Sequence, residues 1–124
     1  FGNKQAMTVL NNIVQPRIRS MAENKIHALN NTNADTIVVE AALLIEADWG
    51  SLVDRIWSIQ STVKRVIERL GRDRGLSEKQ IRERMRFQMT SKEMSSFADV
   101  IINNNGSLKQ LEQRVRFLWC NRYK

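Results

Sequence analysis

The feature that most constrains the fold is the placing of short β-branched runs between helical stretches. "VDRIWSI", Val53 to Ile59, and "DVIIN", Asp99 to Asn103, have the composition of short strands. Ile37, Val38 and Val39 form another such run, expected as a strand buried on both faces, with Glu40 at its end. The order is helix, strand, strand, helices, strand, helix. Strands separated by helices imply an α/β fold, a parallel sheet with helices on its faces. Such sheets bind ligands beyond the carboxyl ends of their strands, which makes Glu40 and the turn Asn103–Gly106 positions of interest.

The helices announce themselves by their ends. Ser77 with Gln80, Thr90 with Glu93, and Ser107 with Gln110 each fit a capping box. In that motif a hydroxyl accepts from a free backbone N–H while the side chain three residues on reaches back to the cap. The spacing of Met7, Leu10, Val14, Ile18 and Met21 predicts a helix from about Asn3 to Leu29, with Asn3 as N-cap and these side chains as its apolar face. Pro16 is expected to kink that helix or start a second one. Leu108, Leu111, Val115 and Leu118 mark the apolar stripe of the last helix.

Of the net charge of +7, nine basic and four acidic residues between Ser61 and Thr90 contribute +5. A field of that sign attracts polyanions, whether nucleic acid, anionic lipid or a small polyphosphate; a solvated basic helix face is the plain alternative. Arg65 and Arg69 are four apart and share a helical face, while Arg72 and Arg74 are expected in a connection between Gly71 and Gly75. Arginine suits phosphate because its planar fork donates two bonds at once and keeps its charge. The amides of Asn103, Asn104 and Asn105 donate and accept, as the edge of a purine requires, and Gly106 allows close approach. A plain Asn-Gly turn is the alternative there. Glu40 could hold magnesium through water or be a solvated carboxylate. Cys120 and His27, each the sole residue of its type, read as an inert thiol and a structural histidine. One cysteine allows no internal disulfide and points to a reducing compartment. No apolar run is long enough to span a membrane, and there is no signal-peptide pattern. The P-loop motif G-x-x-x-x-G-K-[ST] does not occur, since no glycine is followed by lysine. The chain opens on Phe1, as a processed or partial chain does.

Four pieces in order, "LNNIVQPRIR", "VVEAALLIE", "VKRVIERLGRDRGLSEKQIRERMRFQM" and "ADVIINNNGSLKQLEQRV", resemble the C-terminal two-thirds of dephospho-CoA kinases. The resemblance implies a P-loop kinase fold of the nucleoside monophosphate kinase type, incomplete at its N-terminus and spanning residues 1–124 as one partial domain. It implies an acceptor-side helical region over residues 1–35 and an arginine-rich lid region over residues 61–90. The family transfers the γ-phosphate of ATP to the 3′-hydroxyl of dephospho-CoA with Mg2+, the last step of coenzyme A synthesis, so ATP and dephospho-CoA are the implied partners and the cytoplasm the implied location. Its lid arginines look like Arg65 and Arg69, or like Arg72 if "RDRGLS" is aligned instead. Its base-binding loop resembles Asn103, Asn104 and Gly106. Its substrate-binding "PLLFE" resembles "ALLIE", which brings in Leu43, Leu44 and Glu46. The chain departs from the family at Gln15, where His is usual, at Glu40, where Asp is usual, and at Ala42, where Pro is usual. The phosphate cradle and the catalytic base are expected on a preceding segment, so this chain alone is expected to be inactive. The alternatives are a degenerate relative serving as a binding or scaffold module and, third, a nucleic-acid-binding module, for which only Phe87 offers stacking near the basic segment.

Overall fold

The computed structural model describes residues 4–122, which form two compact units divided after Asp54. In the first, α1 (Lys4–Asn30) runs unbroken through Pro16. Pro16 lacks the N–H that would bond the Asn12 carbonyl, but the remaining turns carry the helix across that gap, so no second helix starts there. The expected N-cap, Asn3, lies outside the described residues. The expected apolar face is only partly covered: Leu10, Ile18 and Met21 are 52%, 41% and 63% exposed. Met7 and Val14 are half-buried, as are Gln15, Arg19, Ala22 and Ile26. The face that packs is thus rotated toward Arg19 and Ala22.

The Ile37–Val39 run is not a ladder strand. Residues 36–41 form no regular element and pair with no strand among the described residues, and Val38 is 73% exposed. β-branched composition favours extended backbone, whereas a strand also requires a neighbour to exchange hydrogen bonds. Glu40 is accordingly an exposed residue of an irregular segment. Helical turns over residues 42–48 follow, closed by bonds such as Ala47 N to Leu43 O (2.9 Å) and Trp49 N to Leu44 O (2.9 Å), and a 3-10 turn spans Gly50–Leu52.

The second unit holds β1 (Trp57–Gln60), α2 (Val63–Arg74), α3 (Glu78–Met85), α4 (Ser91–Ser95), β2 (Val100–Asn103) and α5 (Leu108–Cys120). β1 and β2 pair in parallel, Trp57 level with Val100 and Gln60 level with Asn103. The first of these strands starts later than its apolar run suggests. α4 packs on β1 and α5 on β2. Ile81 of α3 and Ile102 of β2 are fully buried, and Trp57 meets Trp119 of α5 edge-on at 6.3 Å. The Gln60 amide nitrogen lies 3.0 Å from Ser95 Oγ and 3.2 Å from Ser91 O, which fixes α4 to the strand. No helix among the described residues is long and apolar enough to cross a membrane.

All three expected capping boxes form, at Ser77, Thr90 and Ser107. The end of α2 differs from expectation: Gly71, Arg72 and Arg74 lie within the helix, and Gly75 ends it with φ +62°. A helical glycine costs only about 1 kcal/mol relative to alanine, whereas a left-handed cap strongly favours glycine. A Cβ at Gly71 would meet only Leu76 O, at an ordinary 3.7 Å. Gly71→Ala is therefore expected to stabilise the protein by roughly 0.5–1 kcal/mol, and Gly75→Ala to destabilise it by about 1 kcal/mol or more, in denaturant unfolding.

The boxes also differ in chemistry. Glu93 closes the α4 box, and the Thr90 hydroxyl and N–H that donate to it hold its carboxyl below the usual carboxylate range. A carboxyl lowered on folding stabilises the folded state above its unfolded pKa, and that gain is lost as pH falls through the lowered value. In an NMR titration the Thr90 amide should shift with a midpoint below that of an ordinary glutamate. The Ser77 and Ser107 amides, which bond glutamines, should not follow it, and Glu93→Gln should abolish the Thr90 transition.

Candidate functional site

The level ends of β1 and β2 bring two helix N-termini side by side. Asn104 N donates to Gln60 O (2.7 Å), one step past the ladder. Thr62 then caps α2, and Ser107 caps α5. Between them opens a cleft of about 860 Å³. One wall is the α2 face of Arg65, Arg69 and Arg72, and the other is Asn104, Gly106 and the first turn of α5. Positions i, i+4 and i+7 project from one side of a helix, so Arg65, Arg69 and Arg72, offered by the sequence as alternatives, lie on the same wall.

Each arginine has an internal acceptor. Arg65 donates to Glu68 (3.1 Å), Arg72 to Asp73 (2.7 Å), and Arg69 to the Gly106 carbonyl across the cleft (3.2 Å). The Arg72 bond holds the Asp73 carboxyl below the usual range, with a smaller contribution from the Arg69 charge; reciprocally, that bond pushes the Arg72 guanidinium up. These pairs are solvent-exposed and individually weak. Three guanidiniums against two carboxylates, facing a helix N-terminus, leave the cleft attractive to an anion. A Cβ at Gly106 would displace Gln110 Oε1, the end of a flexible side chain that closes the α5 box.

The Asn triplet is divided in use. Asn103 ends β2, level with Gln60, and is exposed outside the cleft lining. Asn104 lines the cleft. Asn105 turns its Oδ1 to Thr62 N (2.8 Å) and Ser61 Oγ (3.0 Å).

The first unit has its own cleft, of about 510 Å³, lined among others by Asn12, Gln15, Pro16, Leu43, Glu46 and Trp49. Leu44 is half-buried beside it and is not in the lining. Sequence reasoning passed over Arg19. Its guanidinium donates to Asp48 O (2.8 Å), Ser51 Oγ (3.0 Å) and Glu23 (3.0 Å). Asp48 has φ +56°, a conformation Asp tolerates better than most residues. Arg19 thus clamps the turn that places Trp49, which is buried. The signal available in the sequence was only an arginine on the face opposite the expected stripe.

Among the described residues no group of three or more His, Cys, Asp or Glu side chains comes together as a metal site. Glu40 is exposed, and the acidic residues of the larger cleft are paired with arginines. These residues do not by themselves fit a magnesium ion.

The profile of the family described as dephospho-CoA kinase matches residues 1–110. The chain is 35% identical over 115 residues to the dephospho-CoA kinase of Carboxydothermus hydrogenoformans, covering 93% of this chain and 56% of that protein. It is 32% identical over 123 residues to that of Geobacter sulfurreducens, covering 99% and 62%. The chain therefore spans about three-fifths of the length of these relatives. Among solved structures, one from Thermus thermophilus superposes with TM-score 0.75 at 23% identity, covering 98% of this chain and 62% of the other. The dephospho-CoA kinase from Campylobacter jejuni gives 0.63 at 26%, covering 96% and 59%. The α/β fold is that of P-loop kinases, and the chain belongs to the dephospho-CoA kinase family.

Proposed function

We propose that the complete protein transfers the γ-phosphate of ATP to the 3′-hydroxyl of dephospho-CoA. The observation that carries this reading is the convergence of Arg65, Arg69 and Arg72 with Asn104 and Gly106 on one cleft. In it the arginines take the polyphosphate. Asn104 and Gly106, with Asn103 at the strand end, receive the base. Leu43, Leu44 and Glu46 belong to the acceptor side. In the transfer the acceptor 3′-oxygen bonds the γ-phosphorus and gives up its proton to a base or to water, as the bond from the γ-phosphorus to the β-phosphate oxygen breaks and charge accumulates on the departing ADP. Fixed guanidiniums stabilise that charge without reorganising, which is where arginine contributes most. In this reading Arg69 exchanges the Gly106 carbonyl for a phosphate oxygen as its acceptor. Mg2+ enters the reading as the companion of ATP, held chiefly by its phosphates. The reading carries a cytoplasmic location, which suits a chain whose single cysteine forms no internal disulfide.

A second reading, a family member that binds without turnover, is favoured by Gln15, which lines the smaller cleft where the family usually has His. A coupled assay of the complete protein with ATP, Mg2+ and dephospho-CoA separates the two. Turnover is expected, with the 124-residue chain alone inactive. Nucleotide binding without turnover would support the second reading. Arg65→Ala or Arg69→Ala in the complete enzyme should lower kcat about 10²–10³-fold, while ATP affinity falls less than about tenfold. Equal losses in both would contradict the lid role.

A further inference from the structure

Four helices of the second unit have a Ser or Thr N-cap, and three of them complete a capping box with Gln80, Glu93 or Gln110. The exception is α2. Its cap, Thr62, accepts from Arg65 N, but the third helical position is Arg65 itself. A guanidinium has only donors, so it cannot reach back to the Thr62 N–H as a Glu or Gln does. A positive side chain there also opposes the helix dipole, which Glu68 one turn on offsets. An arginine of the cleft wall thus stands where the box residue would be.

The missing acceptor comes from a different part of the chain. Asn105 Oδ1 lies 2.8 Å from Thr62 N, the place that Gln80 Oε1, Glu93 Oε2 and Gln110 Oε1 occupy at 2.8–2.9 Å in the other helices. The Thr62 N–H fixes which end of the Asn105 amide points inward, since only its oxygen accepts. The Ser61 hydroxyl, 3.0 Å from both Asn105 Oδ1 and Asn104 O, binds the same two strand exits together. We propose that Asn105 is a positioning residue. From the turn after β2 it supplies the N-terminal acceptor that Arg65 cannot, and so sets the arginine face of α2 against the Asn104–Gly106 turn. This use is distinct from the base contact that an asparagine in that turn invites. The role assigned to the arginine face rests on the proposed function, whereas the bond to Thr62 does not.

The test uses the complete protein, amide exchange at Thr62, and steady-state turnover of ATP with dephospho-CoA. Losing one hydrogen bond of this kind is worth about a five- to tenfold change in a local opening equilibrium. Asn105→Ala should therefore speed Thr62 exchange about five- to tenfold, and it should lower kcat more than it raises the KM for ATP. Asn105→Asp, nearly isosteric and still an acceptor, should retain Thr62 protection, which keeps the test valid if the alanine variant fails to fold. In Asn105→Ala/Arg65→Gln, the glutamine can close the box within α2. That double variant should recover Thr62 protection but not kcat. Unchanged Thr62 exchange in Asn105→Ala, or lost protection in Asn105→Asp, would overturn the inference; so would lost protection with kcat intact. If the wild-type protein turns nothing over, the functional reading falls. The Asn105 inference is then decided by the exchange ratios, and equal rates in wild type and Asn105→Ala overturn it.

Discussion

The parallel register of β1 and β2 is the constraint on which the second unit depends. Gln60 stands level with Asn103, and both strands leave the sheet at the same height. The bond from Asn104 N to Gln60 O extends the ladder at that edge, while Asp99 closes the other, its N donating to Ile56 O (2.9 Å) and its carboxylate accepting from Ile56 N (2.7 Å). A slip of one residue would turn Ile102 out of the core and separate the two helix N-termini. Few apolar side chains are buried among the described residues: Ile81 and Ile102 fully, and Trp49 to within one-tenth exposure. Caps and long-range polar bonds therefore carry much of the local geometry, each worth about 1 kcal/mol.

That dependence explains how charge is tolerated at the cleft. Arg65, Arg69 and Arg72 repel one another, yet each has an acceptor: Glu68, Gly106 O or Asp73. Two of these partners are exposed carboxylates whose ion pairs are screened by solvent and individually weak, and the third is a neutral carbonyl, so giving them up to an incoming anion would cost little. Had the acceptors been buried, removing the arginines from them would have cost far more. The weakness of the pairs is what leaves the face available.

Local signals were legible in the sequence and distant ones were not. The three capping boxes span four residues each, so their chemistry is written in order along the chain, and all three form. The "DVIIN" strand and the helix after it were equally plain. The arginine register could not be settled by alignment, yet one helical face carries Arg65, Arg69 and Arg72 together. Gly71 misled because glycine breaks helices only weakly, while Gly75 holds the left-handed cap. Ile37–Val39 misled because β-branching says nothing about whether a neighbouring strand is present. The work of Asn105 was hidden for a different reason. Its partner lies forty-three residues away, and no periodicity connects an asparagine after one strand to a helix cap after another.

The most direct measurement of the central claim is a crystal structure of the complete protein with a non-hydrolysable ATP analogue. The account predicts phosphate oxygens bonded by at least two of Arg65, Arg69 and Arg72, with the Arg69–Gly106 bond opened and Asn105 still on Thr62. A triphosphate bound elsewhere, with Arg69 still on the Gly106 carbonyl, would contradict it.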